Sequence, residues 1–377
     1  MKIRKLALLL STLCATGVAL ADITVGVSLS ATGPAASLGI PEKNTFALLP
    51  STLGGEKVKW VVLDDAADSS NSVKNARKLI SEDKIDVLVG SSTVPTSLAL
   101  VEVANETKTP QLALAPVVPA PDKRAWVFVM PQSNAVMASA IVEHMQASGI
   151  KAIGFIGYND PFGEGYYKEI LALTEKAGIK IVANERYNRT DTSVTAQALK
   201  LMSANPEAVL IVGSGTPAAL PQTTLFDRGY KGRIYQSHGA GNRDFIRVGG
   251  KSVEGTVLPV GPMLVHEQLP DNHPVKKVAG EYVSTYEAAH GPDSRSTFGG
   301  HAYDAYLVIA RAVPEALKKA KPGTPEFRAA MRDAIENVKE LVATNGVYSM
   351  SASDHGGLDF RARVMVRIEG GNWKMVK

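Results

Sequence analysis

Residues 234–242 read IYQSHGAGN, a short apolar run that leads into a polar turn carrying His238. Gly239 follows the histidine directly. An imidazole at the end of a predicted strand can act as a general base, bind a metal or make a hydrogen bond to a bound molecule. It can also be a structural side chain, so the choice depends on the other residues that could join it.

The remaining reactive residues form no catalytic or metal-binding motif. None of the seven histidines is three or four positions from another, so no two share a helix face. G-x-S-x-G, H-E-x-x-H and P-loop patterns are absent from the sequence. The adjacent Asp64 and Asp65 could act as paired carboxylates, although such a pair more often caps a loop. We therefore expect no enzyme, no catalytic residue, no metal and no cofactor, although catalytic side chains can still assemble from distant positions in the sequence.

One glycine-rich turn imitates a nucleotide-binding motif. Residues 208–220, AVLIVGSGTPAAL, contain G-x-G-x-x-A between a predicted strand and a predicted helix. A dinucleotide site also requires an acidic residue at the end of the next strand, and that strand ends in RIYQSH. We interpret the turn as a tight loop whose amides face a cleft, with Pro217 at the start of the helix.

Apolar runs alternate with helical patterns in two successive series, which predicts an α/β fold with two lobes. The expected strands cover 23–29, 58–65, 85–90, 110–115 and 126–131, and then 151–158, 179–187, 207–213 and 232–237. The first helix is expected from about 40 to 53, and three more near 273–290, 298–320 and 324–341. The tail 363–376 alternates and turns at Gly370 and Gly371, which predicts a hairpin.

Small polar residues recur at the carboxyl ends of the predicted strands, in SLSATGPAAS, GSSTVPTS, YNDPFG and GSGTP. In open parallel sheets, ligands bind outside these ends. Hydroxyl groups and free amides at helix starts suit an anion such as a carboxylate. The shared placement in both lobes predicts a cleft that binds a small molecule.

The first 21 residues have the composition of a secretory signal peptide. Lys2, Arg4 and Lys5 precede an apolar run, and Ala19 and Ala21 supply the small residues that a signal peptidase reads. Cleavage there also removes the single cysteine, Cys14, so we expect a soluble exported protein without disulfides. The charge falls from 41 basic against 37 acidic residues to 38 against 37, which gives no basic surface for nucleic acid.

The sequence after the signal resembles the periplasmic solute-binding proteins of branched-chain amino acid (Leu/Ile/Val-binding) type ABC transporters. The stretches that carry the resemblance are ITVGVSLSATGPAASLG, VGSSTVPTSLALVEVANETKTPQLALA, IGYNDPFGEGYYKEI, VEGTVLPV, HAYDAYLVIARA and DHGGLDFRARVMVRIEGGNWKMV. The resemblance implies the type I periplasmic binding protein fold, in which two doubly wound parallel-sheet lobes are joined by three hinge crossings. We place lobe 1 at 22–132 plus 260–345 and lobe 2 at 133–259 plus 346–377.

The resemblance also implies positions for the ligand contacts of lobe 1. A residue that covers the ligand matches Leu38, beside Ser37. A serine that caps the ligand carboxylate matches Val94, with Thr93 and Thr96 available to replace it. A strand end that offers backbone and hydroxyl groups to the same carboxylate matches two further residues, Ala115 and Val117.

In lobe 2 the implied contacts follow the ends of three strands. A ring after the YND turn that begins at Tyr158 matches Phe162, and a tyrosine of the following loop matches Gly215 or Thr216. The acidic residue that receives the ligand's α-ammonium group in amino acid binders matches His238.

Histidine at this position argues against an amino acid ligand, because a buried ammonium group without a counter-charge costs several kcal/mol. We therefore predict a carboxylate without an ammonium group, such as an aromatic or branched 2-oxo acid or a related acid, with His238 donating to its oxygen. In the alternative, His238 bonds a neighbouring loop, Asp160 or Glu164 takes the ammonium, and the ligand is a branched-chain or aromatic amino acid.

These features predict a monomeric periplasmic receptor that encloses its ligand by hinge closure and delivers it to an inner-membrane ABC permease. A ligand sensor on the same fold and an exported α/β enzyme stay open as alternatives. Neither a metal nor a cofactor is implied.

Overall fold

The computed structural model describes residues 22–376, which form two separate parallel β-sheets with helices on both faces. The predicted signal peptide lies outside the described residues. In the described part of the chain, no helix combines the length and apolar character needed to span a membrane. The prediction of two doubly wound lobes is confirmed.

The sheet of lobe 1 has the strand order β2-β3-β1-β4-β5-β6, in which only β2 runs antiparallel to its neighbour. Its strands are β1 (Ile23–Leu29), β2 (Thr52–Leu53), β3 (Glu56–Asp64), β4 (Val87–Gly90), β5 (Gln111–Ala113) and β6 (Val127–Val129). Its helices are α1 (Ala36–Ala47), α2 (Ser69–Ser81) and α3 (Val94–Thr107), joined later in the chain by α9 (Lys276–His290), α10 (Thr297–Leu317) and α11 (Pro325–Glu336).

The sheet of lobe 2 has the order β15-β14-β11-β10-β9-β7-β8, and the hairpin β14–β15 is antiparallel to the rest. Its strands are β7 (Ala152–Tyr158), β8 (Lys180–Tyr187), β9 (Ala208–Val212), β10 (Arg233–Gln236), β11 (Val257–Val260), β14 (Val364–Glu369) and β15 (Asn372–Met375). Its helices are α4 (Asn134–Ala147), α5 (Pro161–Ala177), α6 (Thr195–Ser203), α7 (Ala219–Asp227) and α8 (Arg243–Gly249).

The chain passes between the two sheets three times: after β6, after β11 and before β14. A short antiparallel pair, β12 (Leu341–Val342) and β13 (Val347–Tyr348), precedes the last passage. Tyr348 and Met350 are buried in the same core cluster as β1 and α10. The precise bounds of the lobes stay a prediction.

Two local expectations were wrong. The first helix begins at Ala36 and ends at Ala47, because its last predicted residues form β2 instead. Helix α4 was not predicted, since eight of its 14 residues are buried and its sequence shows no polar face. Tight packing of this kind hides the amphipathic pattern on which helix prediction depends.

Candidate functional site

The carboxyl ends of the central strands of both sheets face one cavity between the lobes. It holds about 350 Å³ of empty space, counting the part that opens to solvent. Lobe 1 contributes Leu38, Ser92, Thr93, Val94, Leu114, Ala115, Pro116, Phe298 and His301; lobe 2 contributes Phe162, Arg189, Ser214, His238 and Gly239; Pro131 lies at the first passage between them.

The start of helix α3 forms the polar wall of lobe 1. Thr93 caps this helix in a reciprocal capping box with Thr96, in which each side-chain oxygen accepts a hydrogen bond from the other residue's amide. The backbone amide of Val94 lies in the first turn, where the helix dipole and amides without helical partners favour an anion. Ser92 precedes this turn, lines the cavity and is 98% buried as a residue.

In lobe 2, Arg189 lines the cavity, and part of its guanidinium group is already hydrogen-bonded within the lobe. The Arg189 Nε donates to Asp160 Oδ2 at 2.8 Å and its Nη1 donates to Ser214 Oγ at 2.8 Å. The guanidinium carbon lies 4.1 Å from the centre of the Tyr158 ring, so a cation–π interaction with the ring stabilises the charge. Within residues 22–376 Nη2 has no hydrogen-bond partner, which leaves a charged donor at the cavity wall.

Both carboxylate oxygens of Asp160 accept hydrogen bonds from other residues of lobe 2. Besides its ion pair with Arg189, it caps helix α5 by accepting hydrogen bonds from the amides of Phe162 at 2.9 Å and Gly163 at 3.1 Å. Glu164 pairs with Arg186, outside the cavity. Among the described residues no Asp or Glu lines the cavity.

His238 lies in the first turn after β10 and is 94% buried. Its ring contacts Phe162 edge to face at 5.8 Å between centroids and stacks on Tyr166 at 5.9 Å. In the described part of the chain its Nδ1 makes no hydrogen bond. Burial lowers the pKa of His238 to about 4, so the imidazole is neutral at physiological pH.

A second buried histidine, His301 of α10, lines the opposite wall. Its Nε2 lies 3.3 Å from Gln132 Oε1, and its Nδ1 has no partner among residues 22–376. Burial, followed by the nearby His238, lowers the pKa of His301 to about 3. The cavity therefore contains two neutral imidazoles. His301 donates from Nε2 to Gln132 Oε1, which leaves its Nδ1 as an acceptor, whereas His238 can carry its proton on either nitrogen.

The two lobes touch at the mouth of the cavity. Ser37 Oγ accepts a hydrogen bond from the amide of Thr216 at 3.1 Å. Gly215 has φ +64° and ψ −155°, a conformation that side chains disfavour, and a Cβ there would lie 2.4 Å from Ser37 Oγ and 2.6 Å from Leu38 Cδ1. Only glycine permits this approach.

Six of the predicted contact residues line the cavity, and three more form its mouth. The lining residues are Leu38, Thr93, Val94, Ala115, Phe162 and His238, and the mouth residues are Ser37, Gly215 and Thr216. That placement leaves their role as ligand contacts a prediction.

The other three predicted residues do not line the cavity. Thr96 is turned into the capping box of α3. Val117 lines a neighbouring cavity beside the first passage between the lobes. Tyr158 lies behind Arg189 and donates its hydroxyl hydrogen to the Ser214 carbonyl at 2.9 Å.

Sequence reasoning missed Arg189, Ser214, Ser92, Phe298 and His301. Arg189 follows the end of β8, so the rule that ligands bind at strand ends could have identified it. His301 sits within a helix and carries no such signal. In residues 22–376 no cluster of three or more His, Cys, Asp or Glu side chains could hold a metal ion.

The geometry defines a two-lobed α/β protein with a cavity between its lobes, and solved structures of similar sequence share this fold. The sequence matches the family described as periplasmic binding protein over residues 22–371. The chain therefore belongs to the periplasmic binding protein family, whose members are located in the periplasm.

Three relatives illustrate the range of similarity. An extracellular ligand-binding receptor from Rhodopseudomonas palustris is 47% identical, with a TM-score of 0.93 over 94% of this chain and 99% of that one. A Leu/Ile/Val-binding protein homolog from Brucella melitensis biotype 1 is 26% identical over 88% of each chain. A solute-binding protein of an ABC transporter from Rhodopseudomonas palustris BisB5, in complex with 3,4-dihydroxy benzoic acid, shares the fold at a TM-score of 0.79 and 18% identity over 94% of this chain and 96% of that one.

Proposed function

We propose that this protein is the solute-binding receptor of an ABC importer and that its ligand is an aromatic or branched carboxylic acid without an α-ammonium group, such as a 2-oxo acid. The receptor class rests on membership of the periplasmic binding protein family and on relatives named as binding proteins and receptors. An inner-membrane permease is the expected partner, and no catalytic step is assigned to the cleft.

The charge balance of the cavity carries the ligand proposal. Among residues 22–376, Arg189 is the one charged residue that lines it, and its Nη2 remains available for a ligand oxygen because Nε and Nη1 already donate to protein groups. A guanidinium group recognises carboxylates through charge-assisted hydrogen bonds. The two acids suggested as ammonium partners, Asp160 and Glu164, are already paired with arginines. An ammonium group would therefore be buried without a counter-charge.

The neutral donors and apolar walls fit the rest of such a ligand. His238 and His301 are uncharged, so neither attracts a second charge. His238 can donate to an oxo oxygen, and His301 Nδ1 can accept from a hydroxyl group because its Nε2 is bonded to Gln132. Phe162, Phe298 and Leu38 supply rings and an aliphatic surface for a planar or branched body. One fold neighbour holds an aromatic acid, 3,4-dihydroxy benzoic acid, so this architecture can accommodate that class.

Branched-chain amino acid binding is the second candidate, because several relatives are named Leu/Ile/Val-binding proteins. A thermal-shift screen of amino acids, 2-oxo acids and aromatic acids separates the two proposals, since a ligand that binds only the folded protein raises its unfolding temperature. We expect shifts with acids that lack an amine. Shifts with leucine, isoleucine or valine alone would support the second candidate and refute the first.

A further inference from the structure

Behind the polar wall of lobe 1, α1 carries a completely buried carboxyl group, that of Glu42. Its Oε2 shares a short hydrogen bond with the hydroxyl group of Ser92, which lines the cavity. Its Oε1 has no hydrogen-bond partner within residues 22–376. A carboxylate in this position would carry a full charge with a single hydrogen bond to stabilise it, an expensive arrangement in a protein interior.

The neighbouring charges make ionisation of Glu42 still less favourable. Asp65 is buried beside it and accepts hydrogen bonds from the hydroxyl groups of Ser28, Ser30 and Ser91, which satisfy that carboxylate locally. In the part of the chain that the structure describes, no cation is among the groups that affect Glu42. Burial and the charge of Asp65 raise the pKa of Glu42 well above its ordinary value.

Within the described range 22–376, the other elements packed against α1 bring no positive charge to Glu42. Helix α10 contributes Asp304, which accepts hydrogen bonds from Thr344 and Asn345, and the neutral His301. From α9, Tyr282 bonds Thr45 of α1. Burial raises the pKa of Asp304 to about 6 and that of the Tyr282 hydroxyl further above its ordinary value. Neither group pairs with Glu42.

The protonation state of Glu42 determines what Ser92 can offer to a ligand. Ser92 Oγ already accepts a hydrogen bond from the amide of Ser30 at 2.9 Å. If Glu42 were ionised, the single hydroxyl hydrogen of Ser92 would point at it and away from the cavity. If Glu42 carries a proton, it donates to Ser92 Oγ, and the hydroxyl hydrogen of Ser92 is free to turn toward the cavity.

We propose that Glu42 is a protonated positioning residue, which holds Ser92 as a hydrogen-bond donor to the anionic group of the ligand. The chain of donors then runs from Glu42 through Ser92 to the ligand oxygen. Val94, the first residue of α3, lines the same cavity. This inference rests on the proposed binding of a carboxylate in the cavity.

Infrared difference spectroscopy tests the protonation state without any ligand. At neutral pH the wild-type protein should show the carbonyl stretch of a protonated carboxyl group, and Glu42→Gln should lose this band. Ser92→Ala should shift the same band, because it removes the hydrogen-bond acceptor. If Glu42→Gln does not fold, the shift in Ser92→Ala provides the readout. A wild-type spectrum in which neither substitution removes or moves such a band would overturn the inference.

Titration calorimetry with phenylpyruvate tests the donor role. A glutamine at position 42 can donate its amide hydrogen to Ser92 Oγ, so Glu42→Gln should bind phenylpyruvate within roughly threefold of the wild type. Ser92→Ala should weaken binding by roughly tenfold or more, the cost of a hydrogen bond to a charged group. Ser97→Ala is the matched control, since Ser97 is buried in the same segment but bonds the Gly90 carbonyl instead of lining the cavity.

The possible failures are distinguishable. A tenfold loss of affinity in Glu42→Gln, or an unchanged affinity in Ser92→Ala, would contradict the positioning role even if phenylpyruvate binds the wild type. Binding of none of the amine-free acids would instead refute the proposed function, while the ligand-free spectra would still decide whether Glu42 is protonated.

Discussion

Replacing Arg189 by methionine removes the charged donor that we assign to the ligand carboxylate. Methionine keeps an unbranched side chain of similar reach and can still lie against the Tyr158 ring. A hydrogen bond to a charged group contributes about 1.5–3 kcal/mol, which corresponds to a weakening of roughly 10- to 150-fold in Kd. Titration calorimetry with phenylpyruvate measures this change directly.

Two further variants separate the ligand contact from the ion pair. Arg189→Met leaves Asp160 without its cation, so the double variant Arg189→Met/Asp160→Asn tests whether that unpaired charge causes the loss. Arg186→Met is the matched control, because Arg186 also forms an ion pair and contacts an aromatic ring but lies outside the cavity. We expect the control to bind within about twofold of the wild type.

Arg189→Met that binds phenylpyruvate as tightly as the wild type, while thermal unfolding shows that it is folded, would refute a contact between Arg189 and the ligand carboxylate. Equal losses of affinity in Arg186→Met and Arg189→Met would also refute it, since the effect would then come from the general loss of an arginine on β8 and its following turn. A loss fully restored by the double variant would show that Asp160, and not the missing donor, was responsible.

His238→Asp should shift the affinity ratio of phenylalanine to phenylpyruvate by roughly tenfold or more toward phenylalanine, because it supplies a charged partner for the ammonium group; calorimetry of both ligands would refute this with an unchanged ratio. Gly215→Ala should weaken binding and leave the ligand-saturated protein more extended in X-ray scattering, since its Cβ would meet Ser37. Gly178→Ala is the matched control, as its φ is also positive at +67° but nothing lies within 4 Å; equal effects of the two would contradict a role in closure. The pKa of His238 is about 4 in the folded protein and about 6.5 when unfolded, so the unfolded chain binds the additional proton between these values and stability falls as the pH falls. His238→Gln removes this titration, so in urea unfolding its free energy of unfolding should fall by up to about 3 kcal/mol less than that of the wild type over this pH range. An unchanged dependence of the free energy of unfolding on pH would contradict this expectation.

The strands and the two-lobe plan were predictable because continuous apolar runs alternate with capped, periodic helices. Strand β1 and the hairpin β14–β15 lie where the pattern placed them, to within a residue or two. Helix α4 was not predicted because the elements packed around it bury eight of its 14 residues. A helix that is covered on most faces has no polar stripe in its sequence.

The residues that line the cavity were predictable only where they follow a strand end or match a position implied by the family resemblance. His238 satisfied both conditions. Arg189 is held in place by Asp160 and Ser214, which are 29 and 25 residues away in sequence, so its geometry exists only in the folded chain. His301 interrupts the apolar face of α10, where a buried structural histidine has the same sequence appearance.

The central claim is that this cleft accepts a carboxylate and rejects an ammonium group. Phenylpyruvate and phenylalanine have the same ring and the same carboxylate, and they differ in whether an oxo or an ammonium group occupies the neighbouring carbon. Competition between them in one calorimetric titration of the wild-type protein is therefore the most direct test. The account predicts that phenylpyruvate binds and that excess phenylalanine does not displace it; displacement by phenylalanine at equal or lower concentration would contradict it.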